Sequence, residues 1–454
     1  MLRKSVLLGV CCSLGNPSLA IPLEMSNEES VWIDVKSLRV GLYIELDVGW
    51  MSHPFPTGSF KISSQKQIDT IQGLGLPRVR CIPAKSAPEE SALTPSQSGY
   101  DNAGAQAALQ EAALRDKEAR RLRAAALAAQ NCSLVVCERR FGESVRVYRK
   151  ASDAVQTQPK EVAQQCLSMV STFVTELMDQ GEASIRLLSE AAGDKSSMHP
   201  VNVTVISLLL GKAMGMQTPE LTDLGMAAFL HDIGKVKIPD RVRWVEDNFS
   251  TTEYRAYQDH VAQGALLAKT MELRSAALLA IAQHHELADG SGFPSRIKGD
   301  AMSLSARILA LVNRYDNLCN PSRAAAALTP HESLSLIFAQ LKTRFDSAAL
   351  SAFIRMMGVY PPGSVVQLID DRYAIVVSVN SARPLKPRVI VHEPSVPKHE
   401  ALILDLEHAP QLGIRRSLKP ANLPAPALDY LAPRQRICYF FEQLSQAESP
   451  ASDA

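Results

Sequence analysis

The feature that most constrains this chain is an apolar helical run that stops on an adjacent histidine and aspartate. Residues 221–230 are mostly apolar, and His231 and Asp232 follow them directly. Gly234 then breaks the helical pattern, and Lys235 comes next. An imidazole beside a carboxylate suits a borderline divalent cation such as iron, manganese or zinc. The pair alone is equally typical of a capped helix end, so a metal site needs support from elsewhere in the chain.

The other histidines give that support. Five of the ten histidines fall within one short interval of the chain. In order they are His199, His231, His260, His284 and His285. Each histidine taken singly is more typical of a core or capping residue. Taken together, in this order and with Asp232, they predict a metal site built from several helices.

Helical geometry places these side chains. His199 lies near the start of a predicted helix that runs to about residue 215, and His260 lies in a predicted helix with Gly264, where a small residue leaves room for backbone. His284 and His285 end an apolar helix, and neighbours on a helix point about 100° apart. These two histidines therefore serve different metals, or one binds a metal while the other holds substrate.

Apolar periodicity divides the chain into segments and predicts a mainly α fold with a small α+β module before the helices and a small β subdomain after them. The predicted boundaries are 1–30 for a leader or mis-assigned start, 31–85 for the α+β module, 86–150 for a linker and an Ala-rich helix, 160–357 for the helical domain, 361–443 for the β subdomain and 444–454 for a tail. Within the two small modules, strands are predicted over 31–35, 42–46, 79–82, 365–369, 373–377, 389–391 and 401–404, and a helix over 64–74.

Charge and cysteine content exclude several classes of function. The net charge is +1, which argues against binding to a nucleic acid polymer. The eight cysteines form no Cys-x-x-Cys pair, which excludes a zinc-finger pattern, and their scatter is typical of buried thiols in a reducing compartment. No apolar run reaches the roughly 18 residues of a membrane span. We therefore expect a cytoplasmic protein.

The first 30 residues leave two alternatives open. A basic start and a short apolar core are similar to a secretory signal, but the core contains two cysteines, and Met25 offers a second start. We expect an over-extended or non-secretory leader, with a real targeting segment as the alternative.

The ordered histidines and the loop Asp289–Pro294 together resemble the HD-GYP family, a branch of the HD-domain metal-dependent phosphohydrolases. Residues 31–85 resemble the domain of unknown function that often precedes HD-GYP domains in bacteria. The resemblance implies an all-helical HD-type core and hydrolysis of cyclic di-GMP to pGpG, to GMP, or to both, in bacterial second-messenger signalling. The loop then acts as a turn that supports the segment from His284 to Glu286.

The resemblance also assigns roles to residues. The metal ligands it implies are His199, His231, Asp232, His260, His284, His285 and the position held by Asn313. Asp232 is the bridging carboxylate and Lys235 faces a phosphate, so both are predicted to be catalytic. Two divalent cations are expected, with iron or manganese favoured. Lys235, Arg314 and Arg323 are the predicted contacts to substrate phosphates.

Several positions depart from the family pattern. Asn313 replaces an aspartate ligand, and Lys195 replaces a glutamate that supports a third metal in some members, which favours two metals here. Phe293 replaces the tyrosine of the loop, and the basic segment after the helix is reduced to Arg323, with Arg314 upstream. Two other classes of function therefore stay open. One is a degenerate module that binds a nucleotide or a protein partner without turnover, and the other is a phosphohydrolase acting on another nucleotide.

Asn313 raises a further question about the ligands. An amide oxygen can bind a metal but brings no charge, so we expect Asn313 to weaken one metal site without removing it. Asp316 lies three residues on, on the same helical face, and is an alternative ligand, although it matches a family position that usually binds no metal. A homodimer and a signalling partner protein both remain open.

Overall fold

The computed structural model describes residues 30–48, 55, 57–87, 99–179, 183–189, 195–245, 249–379, 383 and 385–443. The chain divides into two compact units, Met1–Ala108 and Leu109–Ala454. The predicted leader up to residue 29, residues 88–98 of the predicted linker and the predicted tail lie outside the described residues.

Four short antiparallel strands and one helix form the core of the first unit. They are β1 (Val31–Asp34), β2 (Tyr43–Glu45), β3 (Ser59–Lys61), α1 (Gln65–Gln72) and β4 (Arg78–Cys81), with the strands in the order β1-β4-β2-β3. Ile44 and Ile71 are fully buried between the sheet and α1. The predicted strands and helix of this module are confirmed, and β3 is an additional strand.

Ten helices are described from residue 99 onwards. They are α2 (Gly99–Ala154), α3 (Pro159–Asp179), α4 (Lys195–Ala213), α5 (Thr218–Leu230), α6 (Thr251–Thr270), α7 (Ser275–Gln283), α8 (Leu304–Cys319), α9 (Pro330–Gln340), α10 (Ser347–Met357) and α11 (Ala425–Leu431). The predicted Ala-rich helix is a single element of 56 residues. None of the described helices combines the length and the apolar character that crossing a membrane requires.

Local capping sets where the central helices begin. The Ser250 hydroxyl accepts a hydrogen bond from the amide of Glu253, and the Glu253 carboxylate accepts one from the Ser250 amide, so α6 begins at Thr251. Ser303 caps α8, because its hydroxyl accepts a hydrogen bond from the amide of Ala306. These starts fix the positions of His260 and Asn313 along their helices.

Packing of these helices brings the candidate residues together. Helix α4 packs against α5 and α8, α5 packs against α3 and α7, and α6 packs against α7 and the turn after α5. The apolar side chains of Ile206, Leu221 and Phe229 are fully buried among these helices. The burial of these side chains supplies the main stabilisation of the helical core.

The remaining strands form one seven-stranded sheet. They are β5 (Ala183–Leu187), β6 (Val365–Leu368), β7 (Tyr373–Val379), β8 (Arg388–Val391), β9 (Leu404–Asp405), β10 (Ile414–Leu418) and β11 (Tyr439–Gln443). The main path is β10-β6-β7-β5-β11, and β8 joins β7 to β9. The mainly α fold class with small sheets before and after the helices is confirmed. The prediction of an all-helical interval over 160–357 is wrong at β5, and the strand predicted over 401–404 is reduced to β9.

The C-terminal strand shares its core with the helices. Strand β11 pairs with β5 in antiparallel register. Phe440 and Phe441 lie edge-on to Phe173 of α3, with ring centroids 5.3 and 5.6 Å apart. Backbone pairing thus holds β11 in the sheet beside β5, and the aromatic contacts hold it against α3.

Buried thiols account for most of the described cysteines. Of the six in the described part of the chain, all are free and only Cys132 is exposed. Burial raises the pKa of the Cys166 and Cys319 thiols to about 12. The prediction that the cysteines act as small apolar core residues holds for these positions.

Candidate metal centre

The turn that follows α5 carries the central pair. His231 is the C-cap of α5, and Asp232 precedes a short 3-10 turn, Ile233–Lys237. A Cβ atom on Gly234 would lie 2.0 Å from the carbonyl oxygen of His260 and 2.4 Å from the amide nitrogen of Gly264. The turn therefore lies directly on α6, and only glycine fits at residue 234. The predicted close backbone approach at Gly264 is confirmed.

Three histidines are oriented by carbonyls of their own helices. The Nδ1 atoms of His231, His260 and His284 lie 2.7, 2.5 and 2.7 Å from the carbonyl oxygens of Ala228, Tyr257 and Ile281. Because a carbonyl only accepts, each Nδ1 must carry the proton and donate it. Each Nε2 atom is then left with a free lone pair pointing into the site, which is the state that a metal requires.

His199 is oriented differently, by a carboxylate from another helix. Its Nδ1 atom lies 2.5 Å from Oδ2 of Asp316, and both side chains are buried. Asp316 therefore lies behind His199, on the side away from Asp232. Asp316 is in neither group of potential metal ligands found among the described residues, so the alternative in which Asp316 itself binds the metal is not supported.

Asp232 lies between two pairs of histidines. Its Oδ2 atom is 3.7 Å from Nε2 of His199 and 3.6 Å from Nε2 of His231. Its Oδ1 atom is 3.5 Å from Nε2 of His260 and 4.0 Å from Nε2 of His284. Each carboxylate oxygen thus faces one histidine pair, as a carboxylate bridging two cations would.

The spacing within each pair fits a metal ion. The Nε2 atoms of His199 and His231 are 3.2 Å apart, and those of His260 and His284 are 3.3 Å apart. Two nitrogens that each lie about 2.1 Å from one cation, roughly 100° apart, are separated by about 3.2 Å. Because the Nε2 atoms in each pair present lone pairs to each other, a cation between them removes their repulsion. Imidazoles with one carboxylate suit iron, manganese or zinc.

Burial keeps the histidines in the form that binds metal. Desolvation lowers the pKa of His231 to about 4 and the pKa values of His260 and His284 to about 3. Desolvation alone would raise the pKa of Asp232. The electrostatic effect of Lys235 and the surrounding histidines is larger and holds this pKa well below the usual range. Neutral imidazoles and an ionised carboxylate are therefore the states expected at neutral pH.

His285 faces both the second histidine pair and solvent. It belongs with Asp232, His260 and His284 to one group of potential ligands. The alternative in which the two adjacent histidines serve different metals is therefore not supported. The His285 ring stacks on Phe293 with centroids 4.5 Å apart and planes 19° apart. Burial lowers the pKa of His285 well below its usual value.

The loop after His285 is held by a buried carboxylate. Glu286 is 1% exposed, and its two oxygens accept hydrogen bonds from the amides of residues 295–297 at 2.6, 3.1 and 3.1 Å. A Cβ atom on Gly292 would lie 2.5 Å from the carbonyl oxygen of His285, so the loop needs glycine there. The prediction that residues 289–294 form a turn supporting His284–Glu286 is confirmed.

A cavity of about 470 Å³ opens beside the second histidine pair. Lys235 lies at its inner end, with Nζ 2.7 Å from Oδ2 of Asp232 and 4.2 Å from the centre of the Trp244 ring. The walls include Lys235, Trp244, Tyr254, His284, His285, Phe293, Asn313, Arg314 and Arg344. The cavity therefore joins the candidate metal ligands to aromatic and cationic side chains.

Only some of the site residues predicted on α8 and in the loop after it line this cavity. Asn313 is buried in the wall, and its Oδ1 atom accepts a hydrogen bond from Asn317 at 2.7 Å. Arg314 also lines the wall, whereas Arg323 does not. Arg344, which the sequence did not indicate, lines it instead. Desolvation and the nearby Arg344 lower the pKa of Arg314.

The two arginines place positive charge on this part of the cavity wall. Neither guanidinium of Arg314 or Arg344 is paired with a carboxylate in the described part of the chain. The carbonyl of Arg344 accepts a hydrogen bond from the Ala288 amide at 2.8 Å, which ties this turn to the loop after His285. Two cations that repel each other favour an anionic ligand between them.

Two family models match the chain. Residues 166–349 match the HD domain, and residues 30–166 match a domain of unknown function, DUF3391. The first match contains all six histidine and aspartate positions of the site. The second extends from the small α+β module through α2, beyond the boundary predicted at residue 85.

Several relatives are cyclic dinucleotide phosphodiesterases by name. A cyclic di-GMP phosphodiesterase of Pseudomonas aeruginosa is 25% identical over 79% of this chain and 84% of its own length. The cyclic di-GMP phosphodiesterase response regulator RpfG of Xanthomonas campestris is 29% identical over 44% of this chain and 54% of its own. A 3'3'-cGAMP-specific phosphodiesterase of Vibrio cholerae is 28% identical over 38% of this chain and 37% of its own. The chain thus spans most of the first relative and about half or less of the other two.

Proposed function

The chain is an HD-domain protein with a DUF3391 domain before the HD domain, and on that premise we propose that it is a metal-dependent phosphodiesterase that hydrolyses cyclic di-GMP. The observation that carries the proposal is Asp232, whose two oxygens each face a pair of inward-pointing histidine nitrogens. The names of the relatives support a cyclic dinucleotide as the substrate class.

Two divalent cations, iron or manganese, are the proposed cofactors. His199, His231 and Asp232 would hold one, and Asp232, His260, His284 and His285 would hold the other. Cations bound there supply positive charge that lowers the pKa of water and stabilises charge on phosphoryl oxygens. The chain itself excludes bulk water, because the ligand side chains are almost fully buried apart from His285.

Lys235 is proposed to stabilise the phosphoryl group that reacts. Its ammonium group lies between Asp232 and the cavity, and its side chain is 12% exposed. A cation fixed at this depth interacts strongly with negative charge that develops on phosphate oxygens. In the reaction, water adds to phosphorus, the bond from phosphorus to one ribose oxygen breaks, and that oxygen takes a proton. The first product is linear pGpG, and a second hydrolysis gives GMP.

Arg314 and Arg344 are proposed to hold the phosphate that does not react. A cyclic dinucleotide carries two phosphates, and guanidinium groups bind phosphate oxygens through charge-assisted hydrogen bonds. Trp244 and Tyr254 on the same walls offer flat surfaces for stacking a purine. Arg344 thus takes the place predicted for Arg323, and the reduced basic segment of this chain need not abolish substrate binding.

Two alternative functions have their own support. Asn313 in place of a carboxylate ligand favours a degenerate module that binds a nucleotide or a partner protein without turnover. The Vibrio cholerae relative, by its name, favours 3'3'-cGAMP as substrate. The complete set of inward-pointing imidazoles around Asp232 weighs against the degenerate module.

The proposal is tested by purifying the full chain under anaerobic conditions and measuring its metal content. Hydrolysis of cyclic di-GMP is then followed with added Mn²⁺ or Fe²⁺, alongside 3'3'-cGAMP, cyclic di-AMP and pGpG. We expect bound metal and turnover of cyclic di-GMP in preference to the other cyclic dinucleotides. Metal binding with no turnover of any nucleotide would support the degenerate module.

The control is a double variant, His231→Ala with Asp232→Ala. It should lose metal and turnover while its helical circular dichroism stays close to that of the wild type. His408→Ala removes a histidine whose side chain is 80% exposed and should change neither quantity. Metal retained at wild-type levels in the double variant would exclude the proposed site.

The proposed substrate also places the protein in the cytoplasm. A fluorescent fusion to the C-terminus should appear in the cytoplasm. A processed form beginning near Ile21 in the periplasm would contradict both the location and the cyclic di-GMP proposal.

A further inference from the structure

His199 differs from the other candidate ligands in what holds it. His231, His260 and His284 donate Nδ1–H to carbonyls of their own helices. His199 lies in the first turns of α4 and donates instead to the carboxylate of Asp316 on α8. The orientation of this one ring therefore depends on where α8 places a side chain, and not on local helix geometry.

Asp316 is fixed in turn by two asparagines. Its Oδ2 atom accepts from His199, and its Oδ1 atom accepts from Nδ2 of Asn202 and Nδ2 of Asn320, both at 3.0 Å. Asp316 is fully buried, and Asn202 and Asn320 are nearly so. Because a buried carboxylate is costly unless its oxygens are hydrogen-bonded, these bonds define one position for Asp316.

The asparagines are anchored by the backbone at the start of β11 and just before it. Asn202 donates to the carbonyl of Ile437 at 2.8 Å and accepts from the amide of Tyr439 at 3.0 Å. Asn320 donates to the same carbonyl at 2.9 Å and accepts from the Ile437 amide at 2.8 Å. Tyr439 is the first residue of β11 and Ile437 lies two residues before it, and both are far beyond the end of the HD match at residue 349.

We propose that the segment from Ile437 to Tyr439, which leads into β11, is a positioning element of the metal centre and holds His199 in register through Asn202, Asn320 and Asp316. The inference rests on the metal-binding part of the proposed function and not on the identity of the substrate. A carboxylate behind a ligating histidine fixes the ring and makes its other nitrogen a stronger ligand for a metal ion. The C-terminal segment, which appears as a separate β subdomain in the sequence, is thus part of the site.

A competing explanation is that the network only stabilises the fold. A purely structural role predicts that any lost hydrogen bond between α8 and β11 weakens the protein and its metal affinity together. Tyr315, next to Asp316 on α8, makes such a bond, because its hydroxyl lies 3.1 Å from the Tyr439 hydroxyl. Neither hydroxyl contacts His199, so Tyr315→Phe is a matched control.

The test is a Mn²⁺ titration of the full metal-free protein, with free Mn²⁺ counted by electron paramagnetic resonance. Asp316→Asn keeps the shape of the side chain but removes the charge that orients His199. We expect one of the two binding steps to weaken by about 10–100-fold and the other to stay unchanged. Tyr315→Phe should leave both steps unchanged. Ring ¹⁵N spectra of the metal-free protein should show the Nδ1–H form of His199 in the wild type and a mixture of forms in Asp316→Asn.

A second variant keeps the test decisive if Asp316→Asn does not fold. Asn202→Ser retains Asp316 but removes the amide that joins it to β11, and it should weaken the same step by a smaller factor. Wild-type Mn²⁺ binding in both Asp316→Asn and Asn202→Ser would overturn the inference, as would equal weakening in Tyr315→Phe. Absence of Mn²⁺ binding by the wild-type protein would overturn the metal-dependent function as well, whereas binding without turnover would overturn the phosphodiesterase alone.

Discussion

Gly234 offers a direct test of how the site is assembled. Its Cα hydrogen faces α6, and a Cβ atom there would lie 2.0 Å from the carbonyl oxygen of His260. An ordinary contact is about 3.5 Å, so Gly234→Ala must move the turn and α6 apart by about 1.5 Å. The turn carries Asp232 and α6 carries His260, so the same movement separates a carboxylate from the histidine 3.5 Å away.

The magnitude follows from this displacement. Overpacking typically lowers the free energy of unfolding by about 1–3 kcal/mol, and the upper end applies here because the obstacle is helix backbone and not a flexible side chain. Metal ligands must be held to within about 0.5 Å of their positions. Gly234→Ala should therefore weaken Mn²⁺ binding at the group containing His260 by at least tenfold, which is about the effect of removing a hydrogen-bond partner of a metal ligand.

Gly264→Ala is the matched control across the same contact. A Cβ atom on Gly264 would meet Ile281, Gly234 and His231 at 3.5, 3.6 and 3.7 Å, which are ordinary contacts. Alanine in a helix interior is favoured over glycine by about 1 kcal/mol. Gly264→Ala should therefore bind Mn²⁺ normally and unfold at equal or higher denaturant concentration. The two variants are compared by Mn²⁺ titration and urea unfolding, and equal behaviour of both would refute the reasoning.

Three further variants test individual side chains. Lys235→Met should lower kcat/KM by a factor on the order of 10²–10³ with undiminished metal content, and unchanged kinetics would return Lys235 to a structural role. Arg344→Ala should raise KM for cyclic di-GMP roughly tenfold or more through the loss of a charge-assisted hydrogen bond, whereas Lys342→Ala on the same turn should not. Asn313→Asp should raise the metal content per chain towards two and increase hydrolysis when metal is limiting. Equal metal content and rates in side-by-side elemental analysis and metal titration would show that Asn313 is not a weakened ligand.

The sequence predicts the parts of this site that depend on residue type and order. The ordered histidines and Asp232 indicate a metal centre, and three of the rings are oriented by carbonyls three residues earlier in the same chain segment. Such contacts are local and follow from the periodicity of a helix. The two small modules are predicted for the same reason, since alternation and turn residues are local patterns.

Contacts between distant segments are what the sequence does not show. Arg344 reaches the cavity because its carbonyl oxygen accepts a hydrogen bond from the Ala288 amide. No motif near either residue indicates that bond. Strand β5 is missed because its five residues are paired by β7 and β11, from far along the chain. Asp316 is three residues from Asn313 and suits a ligand by spacing, yet the packing of α8 on α4 turns it towards the outer nitrogen of His199.

On the proposed function, the charge of the bound substrate compensates for Asn313. Among the described residues at the candidate site, the carboxylates are Asp232 and Asp316. The positive charge of Lys235 offsets part of the negative charge of Asp232. Two divalent cations would leave the centre strongly positive, and such an excess weakens the hold on the second cation. A phosphodiester bound at the centre supplies the negative charge that an amide does not, so substrate and the second metal should bind cooperatively. An aspartate at residue 313 would supply that charge permanently. Asn313→Asp should therefore raise metal affinity most in the absence of nucleotide, and reduce the dependence of metal affinity on nucleotide.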